Sequence, residues 1–178
     1  HALVLYQNMM TPVGLNLGFF NAGSLVAWVI TVLLLAVLPR QPVENLLMVL
    51  FPIAALTIGL EGYFHTELIL SPDQELGVKL HIFSSILAYS LLSISALQAL
   101  FLAIQDYQLH HKHPTWVMQR LPPLQVMERL LFHTIALGFL LLSVSLFSGL
   151  IFLEDIFGQH LVHKIVLSIL AWGVFAIL

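Results

Sequence analysis

Nine histidines and no cysteine set the chemical repertoire of this chain. Thiolate catalysis, disulfides and thiolate ligation of heme or zinc are thereby excluded, so any metal or heme chemistry must run through imidazole. The histidines are unevenly placed. His81 opens the stretch LHIFSSILAYSLLS, His133 lies in ERLLFHTIALGF, His163 follows His160 in QHLVHK, and His1 heads the chain. Each of these four sits in or at the edge of a long apolar run, where a titratable ring is costly and marks function by default. The remaining histidines read differently. His110 to His113 form the polar run HHKH, expected to be solvated, and His65 sits in an acidic, exposed loop. His160 and His163 are three apart and could share a metal, but such a site usually needs a third ligand.

The elements that must position these rings are membrane helices. The chain has 178 residues, of which 60% are hydrophobic and 8% charged. A soluble domain carries about a quarter charged residues, so the balance points to an all-α, polytopic membrane protein forming a single domain over residues 1–178. A span needs ~20 mostly apolar residues. Runs of that kind cover Asn21 to Leu38, Val43 to Leu60, Gly77 to Ile104 and Glu128 to Leu153. These predict four full transmembrane helices. Pro39 closes the first, and Pro52 lies inside the second, where neighbouring helices can tolerate a kink. The opening HALVLYQNM reads as the tail of an earlier helix. A last apolar run starts near His160 and is still apolar at Leu178, so both ends read as cut through helices.

Basic residues set the expected orientation. Arg40, Lys112, Arg120 and Arg129 fall in or beside the loops at 39–42 and 105–127, which are placed in the cytoplasm. Glu61, Glu67, Asp73, Glu75, Glu154 and Asp155 fall on the other side, with Lys79 and Lys164 at helix mouths. Small residues four apart allow close helix approach in lipid: Ser84 and Ala88, Ser95 and Ala99, Ser145 and Gly149.

At ~1.5 Å per residue, His81 and His163 both lie ~6 Å below the outer face, His1 lies ~12 Å below it, and His133 lies ~8 Å from the inner face. In a core ~30 Å thick these depths make two tiers, His81 with His163 and, deeper, His1 with His133. Two imidazoles from different helices at one depth are what bis-histidine heme ligation needs. The second nitrogen of each ring then wants an acceptor, for which Ser84, Ser85, Glu61 or backbone carbonyls are candidates. The alternatives are ordinary ones: an interfacial His163 or His81 with one face in water, and a His133 bonded to a neighbouring serine. The chain has no phosphate-binding glycine loop, nucleophile elbow or zinc-protease signature. Nothing argues for hydrolytic chemistry, and the reading favours a binding protein over an enzyme. The net charge of −3 gives no reason to expect nucleic acid as a partner. The expected partners are the lipid bilayer and, in one alternative, another inner-membrane protein.

Several segments resemble the cytochrome c assembly superfamily of heme-handling membrane proteins, the CcsA type. LHIFSSILAYSLLSISALQALFLAIQDYQL resembles its histidine-led helix. LPPLQVMERLLFHTIALGFLLLSVSLFSGLIF is similar to the next, with Glu128, Leu130, Gly138, Phe139, Leu141, Leu142 and Gly149 in matching places. HKIVLSILAW resembles the final helix through Lys164 and Trp172, and NLGFFNAGSLVAWV resembles the segment before the first full helix. The closest likeness is to a short bacterial inner-membrane branch of the YpjD and HemX type. Heme ligases of the superfamily carry a tryptophan-rich WGxxWxWD segment before the last helix. Here that loop reads LEDIFGQHLVHK without a tryptophan, and His163 stands near the place of the motif's acid.

The resemblance therefore implies heme binding or relay rather than cytochrome c ligation, with heme b as the cofactor. His81 corresponds to the family's outer heme-ligand histidine and His1 to one within the membrane. His163 is the candidate partner of His81, and His1 with His133 forms an inner site. Acid should release the heme by protonating the rings. Two other readings stay open: a heme-free accessory or regulatory subunit of a membrane complex such as an ion transporter, and a b-type electron carrier.

Overall fold

The computed structural model describes residues 1–41, 43–64, 66–110, 124–152 and 162–177, with the side chains of 162–164 outside that set. The element order is α1 (Ala2–Met9), β1 (Met10–Thr11), β2 (Gly14–Asn16), α2 (Phe19–Val37), α3 (Glu44–Tyr63), β3 (Ile69–Leu70), α4 (Leu76–His110), α5 (Leu124–Phe152) and α6 (Val162–Ile177). Helices α2, α3, α4 and α5 are long and apolar enough to cross a membrane. They correspond to the four runs read from the sequence, and the chain is a helical membrane protein. Helix α4 has 35 residues and is ~52 Å long at ~1.5 Å per residue, so it outruns a ~30 Å hydrocarbon core.

Each span is apolar nearly all round, and a narrow stripe distinguishes its packed face. In α2 the stripe is Asn21, Ser24, Ala27, Ile30 and Leu34, at helical spacing. Helix α3 continues through Pro52. The turn between α2 and α3 brings Ile30 and Leu34 against Val43, Leu46, Leu47 and Leu50, and Ile94 of α4 completes this aliphatic cluster.

The α4–α5 interface is built from smaller residues. Ser84, Ala88 and Ser95 of α4 are buried, as are Gly138, Ser145 and Gly149 of α5. A Cβ at Gly138 would lie 2.8 Å from Cδ2 of Leu92, and one at Gly77 would fall inside the Phe152 ring. The two helices therefore touch where only hydrogen fits. Of the small pairs read from the sequence, Ser84 with Ala88 and Ser145 with Gly149 are buried, whereas Ala99 is exposed. Serines are tolerated here because their hydroxyls fold back on their own helix. Ser84, Ser90 and Ser95 donate to the carbonyls of Leu80, Ile86 and Leu91, and Ser143 and Ser148 to those of Phe139 and Val144. Helix α6 leans on α5, where Trp172 stacks on Phe139 and its Nε1 donates to Ser143 Oγ at 2.9 Å.

A three-stranded antiparallel sheet of order β1-β2-β3 caps the bundle at the end where α4 begins. Its register pairs Met10 with Leu15 and Asn16 with Ile69. Asn16 holds the junction: its Oδ1 accepts from the backbone of Gly18 and Leu68, and its carbonyl accepts from Asn21. Under the sheet, Leu5, Met9 and Leu17 pack with Trp28, Leu70 and Ile82. The sequence reading contained no strand. Strands of two or three residues are too short to show an alternating pattern.

Candidate functional site

His81 sits in the second turn of α4, just below the sheet, and is half-buried against α5. Its Nδ1 lies 2.7 Å from the backbone carbonyl of Ser145 and 3.4 Å from Ser145 Oγ. A carbonyl can only accept, so Nδ1 carries the proton and Nε2 is the nitrogen with a free lone pair. The same fork fixes the orientation of the ring. Among the acceptors anticipated for this ring, the backbone carbonyl is the one used. Ser84 instead donates to Leu80 and to the carbonyl of His81, at 2.7 and 3.2 Å. Glu61, 2% exposed, takes the amide of Asn8 on Oε1 at 3.1 Å.

His81 lines a partly open cavity of about 360 Å³ bordered by α2, α4, α5 and α6. Among the described residues its polar groups are His81, Ser85, Tyr89, Ser145 and Ser168, and the rest of the lining is aliphatic, with Ala22 and Val26 contributed by α2. A second cavity of about 260 Å³ shares Tyr89, Leu142 and Ser168 with the first and continues along α4 to Ala96. Tyr89 and Ser168 thus border both cavities. The volume of the first falls in the range of cofactor and ligand sites, which are mostly apolar with a few placed polar groups.

The other three predicted residues occupy different places. His1 Nε2 lies 2.9 Å from Ser24 Oγ. Ser24 is fully buried and lies between Ala22 and Val26 in sequence, on the opposite face of α2 from the cavity. Helix α2 therefore stands between the His1 ring and the His81 cavity. His133 is exposed on α5, and its Nδ1 lies 2.7 Å from the carbonyl of Arg129 one turn back. His163 lies on α6, the helix that brings Ile165 and Ser168 to the cavity, but its side chain is outside the described residues. His65, His111, His113 and His160 also lie outside them. His110 is exposed and bonds within its own helix to Asp106. The sequence reading treated Ser145 as a packing residue and did not single out Ser168. Both carry only the signal of a small polar residue in an apolar helix, which also marks ordinary packing.

The whole chain, residues 1–178, matches the model of the family described as Cytochrome C assembly protein. Among curated relatives it is 34% identical over 180 residues to the inner membrane protein YpjD of Escherichia coli strain K12, covering 100% of this chain and 68% of the relative. The YpjD of Escherichia coli O157:H7 is similar to the same extent. No solved structure matches the chain. With four helices among the described residues long and apolar enough to cross a membrane, and with inner-membrane relatives, this is a multi-pass protein of the bacterial inner membrane. A family match from the first residue to the last, on a chain of apolar helices long enough to cross a membrane, makes this chain a member of the cytochrome c assembly protein family.

Proposed function

We propose that this chain binds heme within the membrane and holds or relays it, with His81 as an axial ligand. Membership of the cytochrome c assembly family supports a heme-handling or biogenesis role in general. The observation that carries the finer reading is the hydrogen bond from His81 Nδ1 to the Ser145 carbonyl. Metal-bound histidines almost always donate their other ring nitrogen to such an acceptor, which fixes the tautomer and raises the basicity of the ligating nitrogen. His81 meets that condition in a cavity whose wall is mostly aliphatic, with Ser85, Tyr89, Ser145 and Ser168 as its other polar groups, a lining that suits a porphyrin. Heme b is the proposed form, and when bound it supplies an iron that takes imidazole nitrogen and can change oxidation state.

The chain's own groups have separable tasks. His81 offers Nε2 to the iron, and the carbonyl of Ser145 holds the proton on the far side of the ring. Ile82, Ile86 and Leu146 give the chamber an apolar wall for the macrocycle. His163 is the proposed partner ligand, since its helix forms one wall. The inner pair is a separate proposal. It would use the nitrogens left over by the existing hydrogen bonds, Nδ1 of His1 and Nε2 of His133. The test is an absorption spectrum of protein made with ample heme and purified gently. A Soret band at about one heme per chain is expected, and its absence would favour a heme-free accessory subunit.

A further inference from the structure

Ser145 differs from other serines of α4 and α5. Ser84, Ser90, Ser95, Ser143 and Ser148 turn their hydroxyls back on their own helices, whereas Ser145 Oγ reaches across to Ser85 Oγ at 2.6 Å. Ser85 Oγ in turn lies 2.6 Å from the carbonyl of His81. The direction of each proton in this circuit can be deduced. The His81 carbonyl cannot donate, so Ser85 donates to it. Ser85 has no second proton, so Ser145 donates to Ser85. Ser145 Oγ is then an acceptor towards His81 Nδ1, in agreement with the neighbouring carbonyl.

We propose that Ser85 is a positioning residue for His81: by taking up the Ser145 proton, it keeps that hydroxyl from donating to Nδ1, so that the ring is protonated on Nδ1 and presents Nε2 to the cavity. Without Ser85, the Ser145 hydroxyl is free to swing towards Nδ1. It then stabilises the opposite tautomer, in which Nε2 carries hydrogen and cannot bind a metal. Removing Ser145 as well deletes the competing donor and leaves only the carbonyl, which again selects Nδ1–H. The inference rests on the proposed heme site only for the use to which Nε2 is put. The tautomer itself can be read without heme.

The experiment is nitrogen NMR on full-length protein carrying ¹⁵N-histidine in lipid nanodiscs, free of heme, at about pH 8, where an ordinary imidazole is neutral. The His81 signal is identified by its loss in His81→Ala. Wild type should show protonated Nδ1 and bare Nε2. Ser85→Ala should raise the Nε2–H population roughly three- to tenfold, the worth of one hydrogen bond. Ser85→Thr, which keeps the hydroxyl, should resemble wild type. The double variant Ser85→Ala, Ser145→Ala should return to the wild-type tautomer, an outcome that a merely structural role for Ser85 does not produce. An unchanged tautomer in Ser85→Ala, a double variant as shifted as the single one, or a wild-type ring already protonated on Nε2 would each overturn the proposal. Failure of the wild-type protein to take up heme would refute the heme reading and leave this result standing.

Discussion

On one side of α4, Ile94 enters a dry aliphatic cluster with Ile30, Leu34, Leu46, Leu47 and Leu50. On the other side, α5 is met through Ser84, Ala88, Gly138 and Ser145, and beside that contact lies the cavity bearing His81. The first region buries branched side chains and leaves little for a ligand to touch. The second uses small residues, so two backbones come close enough for a carbonyl of one helix to hold an imidazole of the other. Stability and chemistry are thus assigned to opposite faces of a single helix.

The largest expected stability effect tests that division directly. Leu34→Ala, at a site 2% exposed, should cost about 2–5 kcal/mol by opening a cavity, read by unfolding in bicelles. The heme bound per folded molecule should not change. Loss of heme in step with stability would merge the two regions. Next comes Gly138→Leu, which forces Leu92 away and parts α4 from α5. Overpacking of this kind costs about 1–3 kcal/mol, and here heme retention should fall with it, because Ser145 moves away from His81.

Asn8→Ala leaves buried Glu61 without its hydrogen bond, at a cost of about 1–3 kcal/mol. Because this pair lies away from the cavity wall, the heme spectrum should be that of wild type. The smallest perturbation is acid. A protonated imidazole has no lone pair for iron, so bound heme should decline as pH falls and return when pH is restored. Followed by absorbance at constant helical content, retention of heme at low pH would argue against histidine ligation.

Much of this arrangement was legible in the residues. The spans announce themselves as apolar runs closed by Pro39 or by polar loops, and His81 stands out because a ring at that depth is costly. Its acceptor was not legible. Any of 178 carbonyls might have served, and only the register of α4 against α5 selects that of Ser145. Depth along a helix can be counted from sequence, but rotation between packed helices cannot. For that reason the sequence placed His1 only by depth, in the deeper tier with His133, while the face it occupies, against Ser24 and across α2 from the cavity, emerged only from the fold. The sheet was hidden for another reason. Its strands are fixed by Asn16, whose bond to Leu68 joins segments distant in the chain.

The most direct test compares wild type and His81→Ala, both reconstituted with hemin under one protocol and read by the Soret band and its shift on reduction. The assignment of His81 as an axial ligand predicts a histidine-ligated spectrum at about one heme per chain in wild type, and loss of most of that absorbance in the variant, with partial recovery when free imidazole is added. Equal heme content with an identical spectrum in the two proteins would contradict it.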